Sequence, residues 1–248
     1  MLFLEYNDKK YKLGEPRSIS RGVNIKQNLQ PNAFDLTKFS QTAFQNQFFT
    51  GDTGKGGSCN VNILNFTPHN LTHIETPMHL KKEGIGLDEI PRSNLMGVSY
   101  LVDLSNISFK DNCVKKEHIE QLDLLKDIKI LIVKTKYSEL DQYFDFSNTN
   151  PIHFDPKFME WLTENFPNIK LLITDLPSID KENDGGKLLG HKNYFNFNEH
   201  ERGDKKAIVE LAYCKGVESG IYYTILTPSK IDTDAILTDI FLFDLFKN

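Results

Sequence analysis

Eight short runs rich in β-branched, aliphatic and aromatic residues punctuate this chain, at residues 11–18, 59–66, 98–104, 128–133, 170–174, 206–213, 221–226 and 235–243. Runs of this length, bounded by Gly, Pro, Asn and Asp, predict strands rather than helices. Helical patterns are few. Residues 117–125 space Leu and Ile as a helix does. Pro156–Asn165 follows Asp155 as N-cap, carries Pro at its first position, and spaces Phe158, Trp161 and Leu162 along one stripe. That spacing makes Trp161 a core residue rather than a ligand-binding one. Many strands with two helices between them predict a mixed α/β fold without regular alternation.

A chain of 248 residues can bury roughly 70–75% of its unfolded surface without staples. No internal repeat or linker interrupts it, so residues 1–248 read as a single domain. A composition 39% hydrophobic and 25% charged is that of a globular protein. The net charge of −5 argues against nucleic acid or an anionic membrane surface as partner, since both require clustered basic residues. No apolar run approaches the roughly 18 residues of a membrane span, and residues 1–10 do not read as a secretory signal. Cys59, Cys113 and Cys214 are odd in number and far apart, which indicates neither a disulfide framework nor a thiolate metal site and fits a reducing cytoplasm. The glycine-rich GDTGKGGS, residues 51–58, lacks the Lys-Ser/Thr ending of a phosphate loop and reads as a turn.

Residues 69–79, HNLTHIETPMH, hold three of the seven histidines and a glutamate. Pro68 and Pro77, with β-branched Thr72, Ile74 and Thr76, disfavour a helix. In an extended chain His69, His73, Glu75 and His79 share odd parity and face one way. Residues two apart lie roughly 6.5 Å from each other along a strand, so His73 and Glu75 can share an ion. His69 and His79 join them only if the chain bends, and the prolines and Asn70 are where it can. Imidazoles with a carboxylate suit zinc or another first-row divalent ion, and a carboxylate can bridge two. The alternative is a polar surface strand with solvated imidazoles. His118 and His153 read as surface or capping residues, and His200, in a charged run, as solvated.

The stretch resembles the His-x-Gly-Thr-His-x-Asp-x-Pro-x-His signature of the cyclase family that includes bacterial kynurenine formamidase (arylformamidase) and isatin hydrolase. The segments CNVN at 59–62, VDLS at 102–105, TDLPSID at 174–180, a following histidine, and IVEL at 208–211 occur in the family's order. The resemblance runs from residue 59 to the C-terminus and implies a swivelling β/β/α fold, a curved or barrel-like mixed sheet flanked by helices. It implies His69 and His73 as metal ligands, Glu75 as the bridging carboxylate and His79 as the catalytic acid/base. Glu210 would be the late carboxylate ligand and His191 the late histidine, with His200 as competitor. The expected cofactor is Zn2+, one or two ions, with Mn2+ as the alternative. The expected reaction is hydrolysis of an amide-type bond in a small molecule, such as an aryl formamide, in a homodimer or homotetramer. Lactam or lactone ring opening, a cyclase-type step, and a noncatalytic metal- or ligand-binding relative are the alternatives. Three positions depart from the family. Leu71 stands where the signature has Gly, so its backbone must avoid positive φ. Glu75 stands for Asp, one methylene longer. The aromatic substrate contact that the family draws from its N-terminal region falls to Phe34.

Overall fold

Strands dominate the computed structural model, which describes residues 2–119 and 126–247. In chain order they are β1 Phe3–Tyr6, β2 Lys9–Leu13, β3 Arg17–Ser18, β4 Ser40–Ala43, β5 Asn62–Asn65, β6 His73–Glu75 and β7 Met96–Asp103. There follow β8 Cys113–Val114, β9 Ile130–Lys134, β10 His153–Phe154, β11 Leu171–Thr174, β12 Ala207–Glu210, β13 Gly220–Pro228 and β14 Ala235–Lys247. The described α-helices are α1 Pro156–Asn165 and α2 Leu189–Tyr194.

Seven strands close into a barrel in the order β14-β13-β7-β9-β11-β12-β6, with β6 pairing back onto β14. The run β7-β9-β11-β12 is parallel, and the remaining pairs around the ring are antiparallel. The residues say why. β9 (ILIVK) and β11 (LLIT) are buried at every position, as parallel strands covered on both faces must be, whereas β13 alternates buried with partly buried residues. Alternation sorts the core into two. Ile74, Leu101, Ile130, Ile132, Ile173, Val209, Leu226 and Ile240 fill the barrel, with every strand of the ring contributing. Their neighbours Val102, Leu131, Val133, Leu172 and Ile208 face outward onto α1, where they meet Phe158, Met159 and Leu162. Each such side chain contributes about 1.5–3 kcal/mol on burial.

Helix α1 forms where its signals put it. The Asp155 carboxylate accepts the Lys157 amide at 2.9 Å, and Trp161 stacks on Phe158 with ring centroids 5.9 Å apart. The helix expected over 117–125 falls largely outside the described residues; within them His118 closes a short turn by accepting the Lys115 amide. Helix α2 has no apolar period to announce it. It is held by the Asp180 carboxylate, which accepts the Gly190 and His191 amides at 2.7 and 3.1 Å. A larger residue there would crowd this contact, because a Cβ at 190 would stand 2.9 Å from Asp180 Oδ1.

Several expected strands need correction. The run at 59–66 is not a barrel strand: only Asn62–Asn65 is extended, and it pairs with β4 in a separate, fully exposed hairpin. Its apolar residues have no second layer to cover them. The run at 206–213 stops at Glu210, because Leu211 takes φ 55° and turns its amide onto the Leu176 carbonyl. The expected strand at 235–243 instead continues to Lys247, where β14 leaves the ring and pairs with β2. In its aromatic run Leu242 and Phe243 are buried while Phe246 is exposed.

Candidate metal centre

The motif residues reach one point because the chain bends twice. Pro68–Asn70 and Pro77–His79 are 3-10 turns, each opened by its proline, flanking the three residues of β6. Ten residues of straight strand would separate His69 from His79 by about 33 Å; their ring centroids lie 4.8 Å apart. Leu71 sits at φ −129°, ψ 176°, ordinary extended backbone, so the turn is built without the positive φ that glycine permits.

Strand pairing supplies the rest of the cluster. In the antiparallel β12–β6 ladder Glu210 is the partner of His73 and Ile208 of Glu75, so Glu210 and His73 share the outer face of the barrel. Glu75 stands at the centre. Its Oε1 is 3.4 Å from His73 Nε2 and 3.5 Å from His191 Nε2, and its Oε2 is 3.3 Å from His79 Nε2. Glu210 lies 3.6 Å from His191 and 3.7 Å from His73. His69, His73, Glu75, His79, His191 and Glu210 are therefore together. His200 is not: it is 3.4 Å from Asp204 on the surface.

The hydrogen bonds around the cluster fix which ring nitrogens are bare. His73 Nδ1 donates to the Leu71 carbonyl at 2.8 Å, which leaves Nε2 as a lone pair. His191 Nδ1 donates to Asp180 at 2.6 Å, which leaves Nε2 bare when the ring is neutral. His69 Nε2 donates to Asp234 at 3.2 Å and turns Nδ1 toward His73 Nε2, 3.0 Å away. With the imidazoles neutral, as a bound ion would require, lone pairs and carboxylate oxygens converge with no donor between them. Both oxygens of Glu75 and Nε2 of His191 are buried without a hydrogen-bond partner. Buried acceptors facing acceptors are costly unless a cation joins them. The donor sets His69–His73–Glu75 and Glu75–His79–His191 each lie within 4.8 Å, and their nitrogen and carboxylate chemistry fits a divalent first-row ion.

The electrostatics agree. Burial pushes the Glu210 carboxyl up and neighbouring Glu75 pushes it further, well above the usual range. Burial also opposes ionisation of Glu75, yet His79 and His191 outweigh it and hold its carboxyl well below. Burial likewise opposes charge on His191, but Glu75, Asp180 and Glu210 raise its pKa well above that of a free imidazole. Without a cation, this chain draws a proton into the cluster to separate its carboxylates. Burial, with His73 beside it, pushes His69 down to about 4.

Above the cluster is a cavity of about 350 Å³. Glu75, His191 and Glu210 form its floor, Phe34, Leu36 and Leu188 contribute an apolar wall, and Lys181 lies at its edge. Phe34 is held at φ 56° and is 37% exposed, open to a bound molecule. Ser178 accepts the Asp180 amide at 3.2 Å, a turn contact. Two contributors were not anticipated. Asp180 lies in the quoted TDLPSID segment, but its hold on His191 was visible only once α2 formed. Asp234 belongs to no motif; its only signal is an acid directly preceding a strand.

Residues 21–181 match the family model described as Putative cyclase; His191 and Glu210 lie beyond that segment. The kynurenine formamidase of Bacillus thuringiensis (strain Al Hakam) is 25% identical over 174 residues, covering 70% of this chain and 75% of that one. A structure described as a potential metal-dependent hydrolase with cyclase activity superposes with TM-score 0.68 at 20% identity, covering 93% of this chain and 98% of that one. Isatin hydrolase A from Labrenzia aggregata, bound to benzyl benzoate, superposes with TM-score 0.64 at 14% identity, covering 94% of each chain. At these identities the superpositions speak to fold alone.

Proposed function

The chain belongs to the Putative cyclase family, and on that premise we propose that it is a metal-dependent hydrolase cleaving an amide-type bond in a small molecule, an aryl formamide foremost. The observation that carries this reading is the convergence of bare imidazole nitrogens and two buried carboxylates beneath an open cavity. His69, His73 and Glu75 would hold one ion, and Glu75, His191 and Glu210 a second, with Zn2+ the first choice and Mn2+ the alternative. A divalent ion there supplies Lewis acidity and lowers the pKa of water at the site. The chain's own residues do the rest. His79 is 22% exposed where His69 is 16% and His73 and His191 are 0% and 1%, so it is the imidazole of the cluster most open to a molecule in the cavity. From there it takes a proton from the attacking water and returns it to the leaving nitrogen. The name of the Bacillus relative supports the formamide, and the apolar wall of Phe34, Leu36 and Leu188 suits an aryl ring.

A second reading keeps the chemistry and changes the substrate. The isatin hydrolase neighbour favours opening of a cyclic amide, which needs the same attack on a carbonyl beside an aryl ring. One experiment tests both. Protein purified without added ions is assayed for metal and for turnover of N-formylaniline and an isatin-type lactam, before and after chelation. We expect one or two ions per chain, loss of turnover on chelation and recovery with Zn2+ or Mn2+. Turnover unaffected by chelation, or no ion taken up, overturns the proposal. An ion bound with neither substrate turned over identifies a noncatalytic relative.

A further inference from the structure

Asp234 is the last residue before β14, the strand that closes the barrel. In the β14–β6 ladder Ala235 pairs with Glu75 and Leu237 with His73, so closing the barrel brings a carboxylate alongside a histidine 165 positions away in sequence. Both of its oxygens are engaged. Oδ1 accepts the Thr233 hydroxyl at 2.8 Å, and Oδ2 accepts His69 Nε2–H at 3.2 Å.

The consequence falls on His69. An imidazole carries one proton when neutral, and the partner of one nitrogen decides whether the other is bare. His73 takes its proton position from the Leu71 carbonyl and His191 from Asp180. Two contacts can accept the one proton of a neutral His69, the Asp234 carboxylate at Nε2 and the lone pair of His73 Nε2, 3.0 Å from Nδ1, and the charged carboxylate is the stronger acceptor. If the tautomer reversed, an N–H would point into the cluster where a lone pair is needed. We propose that Asp234 is a positioning residue that holds His69 in the Nε2–H tautomer, with Nδ1 bare, and so completes the donor set for a divalent ion. This rests on reading the site as a metal centre. Carboxylates that orient ligating histidines typically contribute about 10–100-fold in metal affinity.

The test has two parts. In ion-free protein, long-range 1H–15N spectra of the His69 ring are expected to give protonated Nε2 and bare Nδ1 in the parent, and a tautomer mixture in Asp234→Ala. In competition with a chromophoric chelator, Asp234→Ala should bind Zn2+ about 10–100-fold more weakly, and Asp234→Asn, which keeps an acceptor oxygen, should recover part of the loss. The Asp234 side chain is 52% exposed, so the melting temperature of the ion-free variants should match the parent's. Thr233→Val, which frees only Oδ1, provides a milder variant with a smaller expected loss. A His69 spectrum or a Zn2+ affinity in Asp234→Ala equal to the parent's overturns this proposal alone. A parent that takes up no Zn2+ overturns the metal reading and this one with it.

Discussion

Strands β5 and β6 lie eight positions apart in the chain and invert each other's chemistry. β5 carries Ile63 and Leu64, each 53% exposed, while β6 buries His73 at 0% and Glu75 at 1%. Exposed aliphatic residues cost little and recur on every globular surface, whereas a buried imidazole beside a buried carboxylate is stable only if its lone pairs are satisfied. The difference teaches where to look: the segment that breaks the inside–outside rule at a cost is the one retained for chemistry, and the one that breaks it cheaply need not be.

The contrast can be broken most severely at Glu75, which touches His73, His79 and His191. Glu75→Ala should reduce both ion content and turnover to background, read by elemental analysis and an N-formylaniline assay; retained stoichiometric ion would contradict its central place. Next, His79→Ala should keep its ion and lose about 10²–10⁴-fold in turnover, and wild-type rates in that variant would remove His79 from the chemistry. On the opposite side of β6, Ile74 is 1% exposed inside the barrel, and Ile74→Ala should cost about 2–5 kcal/mol in chemical denaturation.

Lys206 sharpens the comparison, since its ammonium is buried beside Thr163 and the Tyr194 carbonyl rather than in the cluster. Burial pushes its pKa down to about 8, against about 10.4 in an unfolded chain. Between those values the unfolded state binds the extra proton, so the penalty is fully present below pH 8 and is relieved as pH rises toward 10. Stability relative to Lys206→Met should therefore rise between pH 7.5 and 9.5; a flat difference would rule out the buried charge. The smallest effect belongs to β5: Leu64→Ser should stay within about 0.5 kcal/mol of the parent.

Much of this was legible in the residues, for physical reasons that differ from place to place. Odd parity put His73 and Glu75 on one side of β6, and two prolines marked the bends that bring His69 and His79 to them, since both signals act over a few residues. Helix α1 was legible through its cap, proline and apolar stripe. The hairpin of β4 and β5 misled, because an apolar run looks the same whether or not a second layer covers it. Helix α2 was silent, since one carboxylate from Asp180 holds its first turn in place of a packed face. Asp234 was silent too: its contact with His69 exists only after β14 closes on β6, a long-range event with no local trace.

The pairing of Glu210 opposite His73 ties chemistry to alignment. If β12 slid by one residue along β6, about 3.4 Å, side chains facing out would face in: Glu210 would exchange with Val209. A carboxylate would then enter the oily interior and an aliphatic group would face the histidines. Such a slip is penalised on both counts, so an intact fold and an assembled donor set are selected by the same misalignment cost, and a half-built centre has no stable fold to occupy.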